Sequence, residues 1–339
     1  MNTSTQPPLV AAQKSSRDSA QPTASFFDDP LHLRTIVVPL DLSTDSLRAL
    51  EFALPLALPF GARVHVVHVE EGAHQFSSIA TSPILWSEAE AKRRLADEVE
   101  LSFGVRPRRE DCHLRVGKPA QEIVATASEL QADLIVIATH GRGGFKHLML
   151  GSTTEKIIRH ATCPVLVVRE ATRGPIKTAA EGIVLQKILV PVDFSDCAKE
   201  GARYASAFAT GVGANLFLMH IVLPPDYMVE GTAFDRSWPQ LMETAVLEAE
   251  DKLDEMVNFL PLDGISAETR VEIGVPVEKL LAASARPDID MVITSTHGYS
   301  ALRHALLGSV AESLARRASC PVLVVPSHPR PGKMMAAEG

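Results

Sequence analysis

The chain has 339 residues, 46% of them hydrophobic and 22% charged, with a net charge of −8. That length exceeds one compact domain and suits two, with enough apolar material for a large core. The negative balance argues against a nucleic-acid or anionic-membrane surface, and no apolar run approaches the roughly 18 residues that span a bilayer.

The opening segment, "MNTSTQPPLVAAQKSSRDSAQPTAS", is rich in Ser, Thr, Gln, Pro and Ala and lacks the apolar core of a signal peptide. Residues 1–30 are expected to be a disordered tail. From Thr35, "TIVVPL" reads as a strand buried on both faces. "TDSLRALEFALPLA" has helical spacing and starts at a Ser/Thr/Asp cluster, with Pro55 expected to kink its end. Then come a strand "RVHVVHV", a charged helix "WSEAEAKRRLADEVELSF" and a strand "EDCHLRV". "PAQEIVATASEL" is a helix with Pro119 in its first turn. "ADLIVIA", "STTEKIIRHA" and "PVLVVR" close the series as strand, helix and strand. Strands alternating with helices imply right-handed crossovers and a parallel sheet covered on both faces.

The whole series then recurs. "TIVVPLDLS" returns as "KILVPVDFS" from Lys187, and "GARVHVVHV" as "GANLFLMHI" from Gly213, both at an offset of 152. Later segments are offset by 157: "RVGKPAQEIVATA" against "EIGVPVEKLLAAS", and "TCPVLVVR" against "SCPVLVVP". The extra residues fall in the variable middle, where insertion is cheap. The expected organisation is a tail over 1–30, a first domain over 31–170, a linker over 171–185, a second domain over 186–326 and a tail over 327–339. The last strands, "PVLVV" in each copy, are expected to pair the two halves and so cover an apolar edge.

Cys112, Cys163, Cys197 and Cys320 form no CxxC pair, so metal-ligand spacing is absent. Cys163 and Cys320, each before a proline and an apolar run, are expected to be small buried residues. Few, scattered cysteines point to a reducing compartment, and the default localisation is cytoplasmic.

In a doubly wound sheet, ligands sit beyond the C-terminal ends of the strands where strand order reverses. Asp41 and Asp193 directly follow the first strand of each copy. Two readings stand: a helix N-cap or Asx turn, or a carboxylate for a sugar hydroxyl or adenine edge. The second feature is the loop "THGRGGFKHLMLGSTTEK" from Thr139, with Gly141, Gly143, Gly144 and Gly151. Glycines admit positive φ and close approach to an anion, and the following helix start favours negative charge. Against that, Ser152 with Glu155, and Ser309 with Glu312, spell a capping box that accounts for Ser and Glu without a ligand. Neither GxxxxGK[ST] nor GxGxxG after the first strand is present. His140 and His297 are read as orienting the turn, and His65, His68 and His220 as packed within strands.

Together "VPLDLS", "HV", "VGKP" and "DLIVIATHGRGGFKHLMLGSTTEKIIRHATCPVLVV", each with its second copy, resemble the universal stress protein family, in its tandem two-domain form. The resemblance implies an α/β fold: two tandem doubly wound domains, each a five-stranded parallel sheet of order 3-2-1-4-5. It also implies ATP as a ligand of many members, with Mg2+ on the phosphates left open. The family signature, G-x-x-G, nine residues, then G-[ST], keeps its spacing in both copies, but Ala138 and Ser295 replace the first glycine. Carried over by position, Pro39, Asp41 and Val69 match the adenine and ribose side, and Gly141, Arg142, Gly151, Ser152 and Thr153 the phosphate loop. Their second-copy counterparts are Pro191, Asp193, Ile221, Gly298, Gly308, Ser309 and Val310. Copy one carries Arg142, Gly143, Gly144 and Lys146 where copy two has Tyr299, Ser300, Ala301 and Arg303, so with more glycines and one more cation copy one is expected to be the better triphosphate site.

The implied function is a stress-response, ATP-binding signalling module without rapid turnover, since no water-activating base, Mg2+ carboxylate pair or arginine finger is evident. The alternatives are an interaction module that holds no nucleotide and a slow ATPase. A homodimer of the whole chain stays open.

Overall fold

The computed structural model describes residues 31–71, 88–139, 150–169, 182–224, 238–296 and 307–327. The first half runs β1 (Thr35–Pro39), α1 (Thr44–Phe60), β2 (Arg63–Glu70), α2 (Glu88–Phe103), β3 (Cys112–Val116), α3 (Pro119–Glu129), β4 (Leu134–Ala138), α4 (Ser152–His160) and β5 (Val165–Val168). The second runs β6 (Lys187–Pro191), α5 (Asp196–Val212), β7 (Asn215–Val222), α6 (Trp238–Asn258), β8 (Ala267–Ile273), α7 (Pro276–Ser284), β9 (Met291–Ser295), α8 (Ser309–Arg317) and β10 (Val322–Val325).

The described strands form one sheet in the order β3-β2-β1-β4-β5-β10-β9-β6-β7-β8. Each half is therefore 3-2-1-4-5 and parallel throughout. The halves meet where β5 and β10 run antiparallel, with Val167 opposite Val322 and Leu166 opposite Leu323. Apolar residues on both faces of each central strand force two cores. Val38, Phe52, Leu56 and Val136 share one with Val190, Phe208 and Leu218. Val37, Ile135 and Ile157 share the other with Leu189, Val292 and Leu314. Both cores cross from one half into the other.

Local chemistry sets the ends of the elements that frame the site. Ser43 caps α1 by accepting the Ser46 N–H at 3.1 Å, and Ser195 caps α5 by accepting that of Ala198 at 3.1 Å. Gly61 and Gly213 close these helices with φ of 62° and 70°, a conformation that costs glycine little. Before the sheet's reversal point, Asp133 Oδ2 accepts the N–H groups of Arg34 and Thr35 at 2.7 and 2.9 Å. Asp290 does the same for Gln186 and Lys187, at 2.5 and 3.2 Å. These carboxylates hold β1 beside β4 and β6 beside β9, which fixes the crevice at the other end of the strands.

At the contact between halves, Phe60 of α1 lies 6.0 Å from the Phe208 ring of α5. A Cβ on Gly211 would run into the Phe60 ring, which would have to move to admit one. Arg169 Nη1 donates to the carbonyl of Ala318, just past α8, at 2.9 Å. Cys112, Cys163 and Cys320 are buried, as their setting before apolar runs suggested for the last two.

Candidate functional site

The reversal between β6 and β9 opens a cleft of about 230 Å3 in the second half. Pro191, Val192 and Asp193 line it from the end of β6, and Met219, His220 and Ile221 from β7. Pro276 and Leu280 of α7 supply an apolar wall. Thr294, Ser295 and Thr296 contribute a row of hydroxyl-bearing residues, and Gly308, Ser309 and Val310 form the start of α8.

Asp193 is exposed on the loop and is held by its own turn. Its Oδ1 accepts the Ser195 N–H at 3.1 Å and the Ser195 hydroxyl at 2.6 Å. Asp41 does the same with Ser43, at 3.0 and 2.5 Å. Both aspartates thus make Asx turns, while the helix caps are the serines two residues on. Between each pair sits a residue in the left-handed region, Leu42 and Phe194, both at φ 62°. A side chain there costs on the order of 1 kcal/mol or more. That both halves keep it means the surrounding hydrogen bonds over-determine the loop.

A histidine clamps that loop from behind. His68 Nδ1 lies 2.7 Å from the Leu40 carbonyl, and His220 Nδ1 lies 2.7 Å from the Val192 carbonyl. A carbonyl only accepts, so Nδ1 carries the hydrogen and, in the neutral ring, Nε2 keeps its lone pair. Phe194 packs on the His220 ring with centroids 4.5 Å apart. Burial holds His220 below the usual histidine range, partly offset by its bond to Val192 and by Asp193. These histidines are packed, as their strand setting suggested, yet His220 also lines the cleft.

The capping boxes do not form. α4 begins after Gly151 and α8 after Gly308, and neither has a side-chain cap. Ser152 and Ser309 are already the first helical residues, one position too late to cap. Glu155 pairs instead with Arg159 at 2.7 Å, and Glu312 with Arg316 at 3.2 Å, one turn down the helix. The first-turn N–H groups therefore lack the side-chain oxygen that the sequence promised them.

Gly151 has an ordinary φ of −57°. Its need is space: a Cβ would sit 2.7 Å from the Thr139 carbonyl oxygen. The Gly151 N–H donates to that same carbonyl at 3.0 Å, and Gly308 donates to Thr296 at 2.8 Å. The end of β4 or β9 is thereby tied to the start of the following helix across the eleven intervening residues.

Six of the second-copy candidates, Pro191, Asp193, Ile221, Gly308, Ser309 and Val310, come together around the cleft. In the first half, Pro39 ends β1, Val69 lies on β2, and Gly151, Ser152 and Thr153 start α4. Gly141, Arg142 and Gly298 lie outside the described residues, as do His140, His297, Gly143, Gly144 and Lys146. The expectation that copy one is the better site rests on residues in that group. Met219, Pro276, Leu280 and Thr294 line the cleft without having been singled out from sequence. Among the described residues no group of three or more His, Cys, Asp or Glu is arranged to hold a metal ion.

A family model described as the universal stress protein family matches residues 32–169 and again 185–326. The chain belongs to the universal stress protein family. A universal stress protein of Thermus aquaticus is 38% identical over 142 residues, covering 40% of this chain and 98% of its own length. The solved universal stress protein of Archaeoglobus fulgidus covers 88% of this chain and 100% of its own at 20% identity, with a TM-score of 0.58, and so speaks to the fold. A universal stress protein solved in complex with cAMP is 26% identical, over 40% of this chain and 95% of its own, with a TM-score of 0.28. Among the described residues of this universal stress protein, no helix is long and apolar enough to cross a membrane.

Proposed function

We propose that this universal stress protein is a stress-response module that binds adenine nucleotide, ATP in the first instance, at the C-terminal ends of its strands. The observation that carries the reading is the second-half cleft. There an Asx-turned carboxylate, Asp193, stands across from an uncapped helix start at Gly308–Ser309. A nucleoside has hydroxyls for a carboxylate to accept, and phosphate suits free N–H groups at a helix N-terminus. The apolar wall of Met219, Pro276 and Leu280 offers a surface for a base. One family member has been solved holding cAMP; for this chain the reading rests on the cleft's own residues.

Gly151, in the first half, leaves the space that a phosphate loop requires, and Gly308 keeps the same hydrogen bond in the second. ATP supplies charge and a readable base; the protein supplies position. Any Mg2+ would arrive chiefly on the phosphates, as in other nucleotide sites. The two halves act as one paired body through β5 and β10, in the reducing compartment that four free cysteines suit.

Calorimetric titration of the full chain with ATP tests the reading, using Gly151→Val and Gly308→Val to block each half in turn. Saturable binding lost in one or both variants supports it. No binding by the intact chain refutes it in favour of a ligand-free interaction module, and sustained phosphate release would favour the slow ATPase.

A further inference from the structure

At the outer edge of the first half, far from the cleft, two imidazoles meet. His65 Nδ1 on β2 lies 3.1 Å from His113 Nε2 on β3, and their ring centroids are 5.3 Å apart. His65 is buried and His113 half-buried. Asp111 Oδ1 is 3.5 Å from the same His65 nitrogen, which favours the hydrogen there. His65 then donates and His113 accepts. The bond ties β2 to β3, the outermost strand of this half.

The charged groups around the pair are already engaged. From β2, Arg63 reaches Asp111 at 2.5 Å and Glu110 at 2.8 Å, both in the 3-10 turn (Arg109–Asp111) before β3. From β3, Arg115 bonds Glu129 and Thr126 of α3. Lys92 of α2 adds a further positive charge near His113. A first extra proton can be shared between the rings. A second sets two donor nitrogens face to face at 3.1 Å; Asp111 can accept from His65, but His113 is left beside a charged His65 with Arg115 and Lys92 as its further cationic neighbours.

The second half is built differently at this place. Phe217 stands where His65 stands, and Arg270, opposite Met219 as His113 is opposite Val67, replaces His113. Phe217 is covered by the Arg286 guanidinium at 4.7 Å. One edge of the sheet therefore carries a titratable tie and the other an aromatic core residue.

We propose that the His65–His113 pair is an acid-sensitive latch: double protonation breaks it and frees β3 and its 3-10 turn from β2, while the β7–β8 edge stays closed. Burial, the largest influence on both rings, holds them below the usual histidine range. The sign follows. Neutral rings are favoured in the folded state, so the stabilisation is complete above the unfolded value near 6.5 and is lost as pH falls through the lower folded values.

Hydrogen exchange of the full chain tests this at about pH 7.5 and about pH 5, corrected for intrinsic exchange. Residues 112–116 should exchange about 10-fold faster in acid, with residues 267–273 unchanged. In His65→Phe, the residue the second half uses, the difference should vanish. Equal acceleration at both edges, or its persistence in His65→Phe, overturns the latch. Should that variant fail to fold, imidazole titration by NMR on the unaltered protein decides. Two separated steps below the usual value support the latch, and two coincident ordinary midpoints overturn it.

Discussion

The Ile183 N–H donates to the carbonyl of Pro55 at 3.1 Å. Within α1 that carbonyl should accept from residue 59, but residue 59 is proline and has no N–H. Two prolines four residues apart therefore leave an acceptor in the middle of a helix, and the chain entering the second half fills it. Ile183 and Leu185 are buried alongside, in the core that both halves share. α5 carries Ala207 and Gly211 at the matching positions, and among the described residues no such tie is made to it. Pro59 is exposed, so Pro59→Ala should not disturb packing. It restores the intrahelical donor and should raise exchange at the Ile183 amide by about 5- to 10-fold, the worth of one hydrogen bond. Unchanged exchange would mean the bond does not hold this segment.

Gly151→Ala should separate steric from conformational need. Its φ is ordinary, so alanine meets no backbone penalty, but the new Cβ meets the Thr139 carbonyl at 2.7 Å. Displacing that carbonyl should cost about 1–3 kcal/mol, as overpacking does elsewhere. It should also weaken the ATP binding proposed for the first half, because the loop's two ends are tied at this point. Urea unfolding and calorimetry read the two effects. Full stability in the variant would show that the strand end yields without strain.

Asp288 predicts a pH dependence with a definite sign. Its hydrogen bond from Arg286, aided by Lys187, holds the carboxyl down at about 2. A depressed carboxylate stabilises the fold above its unfolded pKa, here 3.8, and loses that contribution as pH falls toward 2. The Asp288 side chain is 37% exposed, so screening keeps the worth of the pair below about 1 kcal/mol. Asp288→Asn should therefore be slightly less stable than the parent at pH 7, and the gap should close near pH 2. A gap that widens in acid would contradict the assignment.

Much of this architecture could be read from the chain alone, for identifiable reasons. "TIVVPL" and "ADLIVIA" are apolar on both faces because β1 and β4 are central, and their recurrence gave the tandem organisation. The aspartates after β1 and β6 do follow the strand directly, and the Asx turn was one of the two readings open for them. What failed was the capping box, although the helix itself begins at Ser152 as read. S-x-x-E is a capping box only when the serine stands outside the helix, and here the glycine does. A one-residue shift in helix start is invisible to composition and decides whether the first-turn N–H groups lack a side-chain cap. The apolar wall of Met219, Pro276 and Leu280 was equally hidden, since each reads as core in its own segment and meets the others only in space.

Shared cores should make the halves unfold together. Leu166 and Leu323 oppose each other at the antiparallel junction, and both are fully buried. Leu323→Ala leaves a cavity where one of the two cores crosses from the first half into the second and should cost about 2–5 kcal/mol. If β5 and β10 bind the chain into one cooperative body, that loss falls on both halves. Exchange protection should then drop in β1 and β4 of the first half as well as in β6 and β9 of the second. Were the junction a loose contact between independent domains, only the second half would lose protection. Residue-resolved exchange on the full-length variant separates these outcomes, and a response confined to β6 and β9 would refute cooperative unfolding.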